Sequence, residues 1–321
     1  MCPSNKKDVI TMKKNKMMLV GLGALTAAAS YTALGMSALM YAFKRREVKV
    51  IHNTYATTPL STDEQAYIDN LTIETLTIKA FDNTPLTASL IPSSNPSDKV
   101  VICIHGYRST GLADFRHLLR FYHDLDYTIL MPDNRAHGRS GGEYVGFGYL
   151  DRLDILQWIG EIQKYFHDKP LRIALHGVSM GGAAVLMTSG EALTRDVRCI
   201  ISDCSYSSLT EEFAETLKNH KVPNLVIKPA QRMSKKVIGY DFSKADVTKA
   251  VANSKTPTLF IHGSEDEFVP VRMVDALYNA CTAPKQLLVV DGAAHADCYM
   301  KDAARYEEAL SLFLSQYMYT E

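Results

Sequence analysis

The 321-residue chain has no excess charge of either sign, since 35 Lys and Arg balance 35 Asp and Glu. Such a chain builds no global field to gather nucleic acid or to demand an anionic substrate, so nucleic acid is not an expected partner. It has no internal repeat and no low-complexity tract, which sets aside repeat arrays and disordered tethers. Its six cysteines are scattered, with no Cys-x-x-Cys pair and no Cys/His spacing that suits zinc, and no metal or organic cofactor is expected. Cys103 and Cys199 fall inside apolar stretches and read as buried thiols, while Cys298 reads as a loop position.

Charge is missing altogether from Met17 to Phe43, a 27-residue run bracketed by Lys13, Lys14 and Lys16 before it and Lys44, Arg45 and Arg46 after it. At 1.5 Å per residue this exceeds the roughly 20 residues that span a bilayer. The run predicts a single-pass anchor, with membrane as partner and a domain outside the cytoplasm. A cleaved signal peptide is the rival, because Ala27, Ala28 and Ala29 offer small residues to a peptidase. The organisation expected is therefore a basic segment and anchor over 1–46, a linker over 47–70 in which Ser61-Thr-Asp-Glu64 matches a capping box, and one large domain over 71–321.

Within that domain, Thr72 to Lys79 and Leu86 to Ile91 alternate in polarity around Asp82-Asn83-Thr-Pro85 and predict an antiparallel hairpin. Short apolar strands separated by helical segments follow, at Lys99 to Ile104, Thr128 to Met131, Leu171 to Leu175, Val197 to Ile201, Thr258 to Ile261 and Gln286 to Val290. Alternating β and α elements predict an α/β fold with a mainly parallel sheet covered on both faces. Between Asp203 and Pro257 the chain is much longer than one crossover helix requires, so residues 205–250 are expected to form an inserted helical lid, begun by a second capping-box match at Ser208-Leu-Thr-Glu211.

The pentapeptide Gly177-Val-Ser179-Met-Gly181 lies where one of these strands gives way to a small-residue helix. By composition alone such a match arises by chance about one time in ten, so its setting carries the weight. A serine on a tight strand-to-helix turn has its hydroxyl lifted clear of the sheet, which makes Ser179 a candidate nucleophile. A serine hydroxyl needs a histidine base oriented by a carboxylate. Asp266 stands in the loop after the Thr258 strand and His295 in the loop after the Gln286 strand, and the carboxyl ends of neighbouring parallel strands converge on one crevice. Asp203, after the strand that follows the serine, is the rival acid. His105, His137, His176 and His262 each precede a glycine and read as turn-shaping or polar structural groups; Asp133 and Arg135 read as braces for their loop.

Five blocks in order, His105-Gly-Tyr107, Asp133-Asn-Arg135-Ala-His137-Gly-Arg-Ser140-Gly-Gly142, the Ser179 pentapeptide, His262-Gly-Ser-Glu-Asp266-Glu-Phe-Val-Pro270 and Gly292-Ala-Ala-His295, resemble the α/β-hydrolase superfamily. In detail they resemble bacterial esterases and serine-aminopeptidase-like hydrolases, from about Leu71 to the C-terminus. The resemblance implies a Ser179, Asp266, His295 triad and an oxyanion hole from the backbone amides of Tyr107 and Met180. It implies hydrolysis of a carboxylic ester or other small acyl substrate, with an amide or peptide hydrolase, an acyltransferase or a catalytically silent binding module as alternatives. His-Gly-Tyr departs from the His-Gly-Gly-Gly of some lipases, and the chain has no room for the large N-terminal propeller of prolyl-oligopeptidase-type enzymes, which weighs against both.

Overall fold

The computed structural model describes residues 26–46 and 53–319. Eight strands form one sheet: β1 (Glu74–Lys79), β2 (Pro85–Ile91), β3 (Lys99–Ile104), β4 (Thr128–Pro132), β5 (Arg172–Val178), β6 (Val197–Asp203), β7 (Thr258–Gly263) and β8 (Lys285–Val290). Their spatial order is β1-β2-β4-β3-β5-β6-β7-β8. The predicted hairpin pairs β1 with β2 antiparallel, β2 lies antiparallel to β4, and every later pair is parallel. This is the α/β-hydrolase fold.

Period-two alternation explains why both faces are dry. In β3, Val100, Ile102 and Ile104 enter one hydrophobic cluster while Val101 and Cys103 enter the other. The first cluster receives the helices Asp151–Tyr165, Met180–Ser189, Val247–Asn253 and Arg272–Ala280, the second Leu119–Asp124 and Ala303–Tyr317. Arg135 braces its loop as expected: it sends two hydrogen bonds of 2.7 Å to Asp154 and one of 2.9 Å to Asp82, tying the loop after β4 to a helix and to the hairpin turn. The capping box at Ser61 is complete. At Ser208 only half of one forms, because Glu211 turns its carboxylate to Ser207 and Arg272.

The segment between β6 and β7 holds the helices Leu209–Asn219, Ile227–Val237 and Val247–Asn253 with two short 3-10 turns. Over it lies a helix formed by residues 26–43. The single-pass anchor and the membrane location expected from the uncharged run are not supported: among the described residues no helix is long and apolar enough to cross a membrane. Residues 17–25 of the run lie outside the described ones. The reason is visible in what the helix touches. Gly35 is pressed against the Ile227–Val237 helix, where a Cβ would stand 2.7 Å from Pro229 Cγ and 2.8 Å from the Ala230 amide. Leu39 and Phe43 are buried, so this apolar stripe is consumed by protein.

The last carbonyls of a helix have no intrahelical donor, and here the domain supplies them. Arg108 donates to Tyr41 O at 3.1 Å, Tyr107 Oη to Ala42 O at 2.6 Å, and the Val145 amide to Phe43 O at 2.7 Å. Phe43 itself sits among Phe147, Phe213, Tyr240 and Phe242, with ring centroids 4.7 to 6.3 Å away. Truncating Phe43 to Ala is expected to destabilise the protein by about 3–5 kcal/mol, read as a lower urea midpoint at unchanged slope. A shift below about 1 kcal/mol would show that the helix adds nothing to the core.

Candidate active site

Ser179 is reached from β5, one residue after Val178, and precedes the fully buried helix Met180–Ser189. Its backbone takes φ 55° and ψ −117°, a region that L-residues avoid. Glycines make the turn possible, since a Cβ on Gly177 would collide with the Gly181 carbonyl and one on Gly181 with the Ile104 carbonyl. The Ser179 amide donates to Asp203 O at 2.8 Å, which pins the turn to the end of β6.

Three of the predicted residues come together in one hydrogen-bonded chain. His295 Nε2 accepts from the Ser179 hydroxyl at 2.9 Å, and Nδ1–H donates to Asp266 Oδ2 at 2.7 Å. Asp266 is held in turn by the amides of Phe268 (3.0 Å) and Val269 (2.7 Å) on its other oxygen. All three side chains are largely buried. Burial opposes the imidazolium of His295, but the charge and hydrogen bond of Asp266, with further contributions from Glu212 and Asp203, outweigh it and raise its pKa above the ordinary value.

Asp203, the rival acid, is engaged elsewhere. Its Oδ2 accepts from Tyr55 Oη at 2.6 Å and Tyr306 Oη at 3.0 Å, and burial pushes its pKa up to about 6. Tyr55 belongs to the short helix Thr54–Thr57, so the chain before the sheet reaches under the site.

Tyr107 and Met180 flank the serine, both at the edge of the same cavity. Met180 opens its helix, so its amide has no partner within it, and helix dipole and N–H together favour negative charge there. The loop carrying Tyr107 is fixed by groups that the sequence showed only as turn-shapers. His105 Nε2 accepts the Asn134 amide and His137 Nε2 accepts the Arg108 amide, each at 2.9 Å. Burial, then His105, brings the pKa of His137 down to about 3, which keeps it a neutral acceptor. His262 donates to Val269 O at 2.8 Å and stabilises the Asp266 loop. The buried Asp114 was not foreseen: it accepts from the Gly106 amide at 2.7 Å, from Asn53 at 2.7 Å and from Ser109.

A cavity of about 450 Å³ opens on Ser179. Residues 26–43 and the segment after β6 supply most of its lining, including Glu212, which no motif or spacing singles out. Among the described residues one grouping has donor atoms close enough for a metal ion: Cys204, Asp266 and His295, within 4.8 Å of one another. It suits a resident metal poorly, because burial holds the Cys204 thiol protonated and the other two are committed to the Ser179 chain.

Comparison with known proteins adds to this geometry. YqkD of Bacillus subtilis is 26% identical over 251 residues, covering 74% of this chain and 81% of that protein. A Saccharomyces cerevisiae protein, YNL320W, described as an uncharacterized membrane protein, is 25% identical over 296 residues, 90% of this chain and 93% of its own. The structure of the Pyrococcus furiosus esterase Pf2001 superposes with a TM-score of 0.64 at 24% identity, covering 84% of this chain and 99% of that one, a likeness of fold. The model of the prolyl oligopeptidase family matches residues 113–319. Those residues carry Ser179, Asp266 and His295 with the strands and helices around them, which corrects the expectation that weighed against the prolyl oligopeptidase type. The chain belongs to the prolyl oligopeptidase family and is a serine hydrolase of the α/β-hydrolase class.

Proposed function

We propose that the protein hydrolyses carboxylic esters through an acyl-enzyme on Ser179, with His295 as base and Asp266 as the group that orients it. The observation that carries this reading is the unbroken Ser179–His295–Asp266 hydrogen-bonded chain at the edge of an apolar cavity. His295 takes the proton as the hydroxyl attacks the carbonyl, and Asp266 keeps the imidazole tautomer and stabilises the imidazolium. The amides of Tyr107 and Met180 receive the developing oxyanion. His295 then protonates the leaving group, and water repeats the sequence to release the acid. Residues 205–250, with the N-terminal helix, act as the cover of the site. A peptide or amide substrate is the second reading, favoured by the family match. A silent binding module would leave Ser179 unlabelled by a fluorophosphonate.

Ser179→Ala is expected to lower kcat on an activated ester by about 10⁴ or more and to abolish fluorophosphonate labelling. Unchanged turnover would sink the assignment.

Asp266→Asn should cripple turnover, whereas Asp203→Asn, which keeps an oxygen to accept from Tyr55 and Tyr306, should cost far less. Steady-state kinetics of the two purified variants decide between them, and the reverse ranking would move the acid to β6.

The base must be neutral to act, and its pKa is raised, so kcat/KM should fall with acidity around a midpoint above the ordinary imidazole value of about 6.5. In Asp266→Asn the residual activity should show that limb at lower pH. A pH profile that keeps the same midpoint in both proteins would contradict the role given to Asp266.

A further inference from the structure

The cavity above Ser179 has two walls from distant parts of the chain. Leu217, Val226 and Ala230 face it from the segment after β6, and Leu34, Ala38 and Leu39 from the N-terminal helix. None of the described residues lining it is Lys, Arg or Asp; Glu212 is the one acid, and His220, whose Nδ1 donates to Thr216 O at 2.8 Å, is the one basic side chain. Burial pushes the pKa of Glu212 up to about 8, which favours its uncharged form; it accepts from Thr216 Oγ1 at 3.3 Å through one oxygen, while the other has no partner. Such walls cannot solvate a charged or strongly polar substituent, which would lose its water without replacement. An apolar chain loses nothing there and gains on the order of fourfold in binding per methylene removed from water.

We propose that this cavity holds the acyl chain of the substrate, and that the N-terminal helix sets the chain length the enzyme prefers. The assignment rests on the ester-hydrolase reading above. The acyl part fits the cavity better than the alcohol because it stays on Ser179 through both half-reactions, whereas the alcohol must leave after the first. At about 30 Å³ per non-hydrogen atom, 450 Å³ holds some fifteen atoms. With the three heavy atoms of the reacting ester group seated, this leaves room for an acyl chain of at most about a dozen carbons.

The test uses the full chain, aryl esters with acyl groups from two to sixteen carbons, and the variants Ala38→Trp and Leu217→Trp, which fill the cavity from opposite walls. Each variant is first shown to be folded by circular dichroism and a urea transition. In the wild type kcat/KM should climb from the two-carbon ester to an optimum at no more than about a dozen carbons. A folded variant should move the optimum to shorter chains, with the ten-carbon ester losing at least about tenfold more than the two-carbon ester. Ser179-dependent turnover that is flat in acyl length, or that follows the alcohol length instead, would overturn the cavity assignment and leave the serine hydrolase intact. Absence of Ser179-dependent turnover and of fluorophosphonate labelling would overturn the reading beneath it as well.

Discussion

The rest of the site hangs on one strained backbone turn. Ser179 holds φ 55° because β5 must reverse at once into a helix whose first turn lies on the neighbouring strand, and only the missing side chains of Gly177 and Gly181 let those backbones come so close. A residue in such a conformation costs of the order of 1–3 kcal/mol and persists where its surroundings fix it. Here they do: the helix after it is buried throughout, and its amide is tied to β6. Because β6, β7 and β8 follow in parallel, the loops after β7 and β8 arrive beside the hydroxyl without any further bend in the sheet.

Each loop that meets there is held by a buried polar group satisfied from elsewhere in the chain. Asp114 and two neutral histidines fix the Tyr107 loop, and the amides of Phe268 and Val269 fix Asp266. Asp203 collects hydroxyls from Tyr55, before the sheet, and Tyr306, in the helix that ends the domain. A second buried carboxyl near His295 is thereby kept away from the imidazole while still adding to the field that favours its charged form. The two tyrosines clamp the first and last parts of the domain to the strand beside the serine.

Much of this was legible in the sequence for a simple reason. Strands buried on both faces leave an unmistakable apolar run, and a serine turn needs glycine at two fixed offsets, so β3 to β8 and Ser179, Asp266 and His295 could all be placed from residue type and spacing. What failed was the uncharged run ending at Phe43. Lipid and a protein groove ask the same thing of a side chain, and nothing in the run itself says which will be met; its Gly35 and its many small residues were the available hint, since close helix contact needs them. Glu212 was hidden for the opposite reason. A single acid on a helix bearing Glu211 and Glu215 looks like a solvated face until the fold buries it. The half-formed cap at Ser208 shows the same limit, because Arg272, remote in sequence, competes for Glu211.

The aromatic cluster around Phe43 also dictates an order of events during synthesis. Phe43 leaves the ribosome early, yet Phe213, Tyr240 and Phe242 follow some 170 to 200 residues later, and no earlier part of the chain can complete that nest. Contacts of such sequence separation form late, because a long loop must close before they reward it. The helix of residues 26–43 can therefore dock only after residue 242 has been made, and the cavity above Ser179 closes only once most of the domain exists.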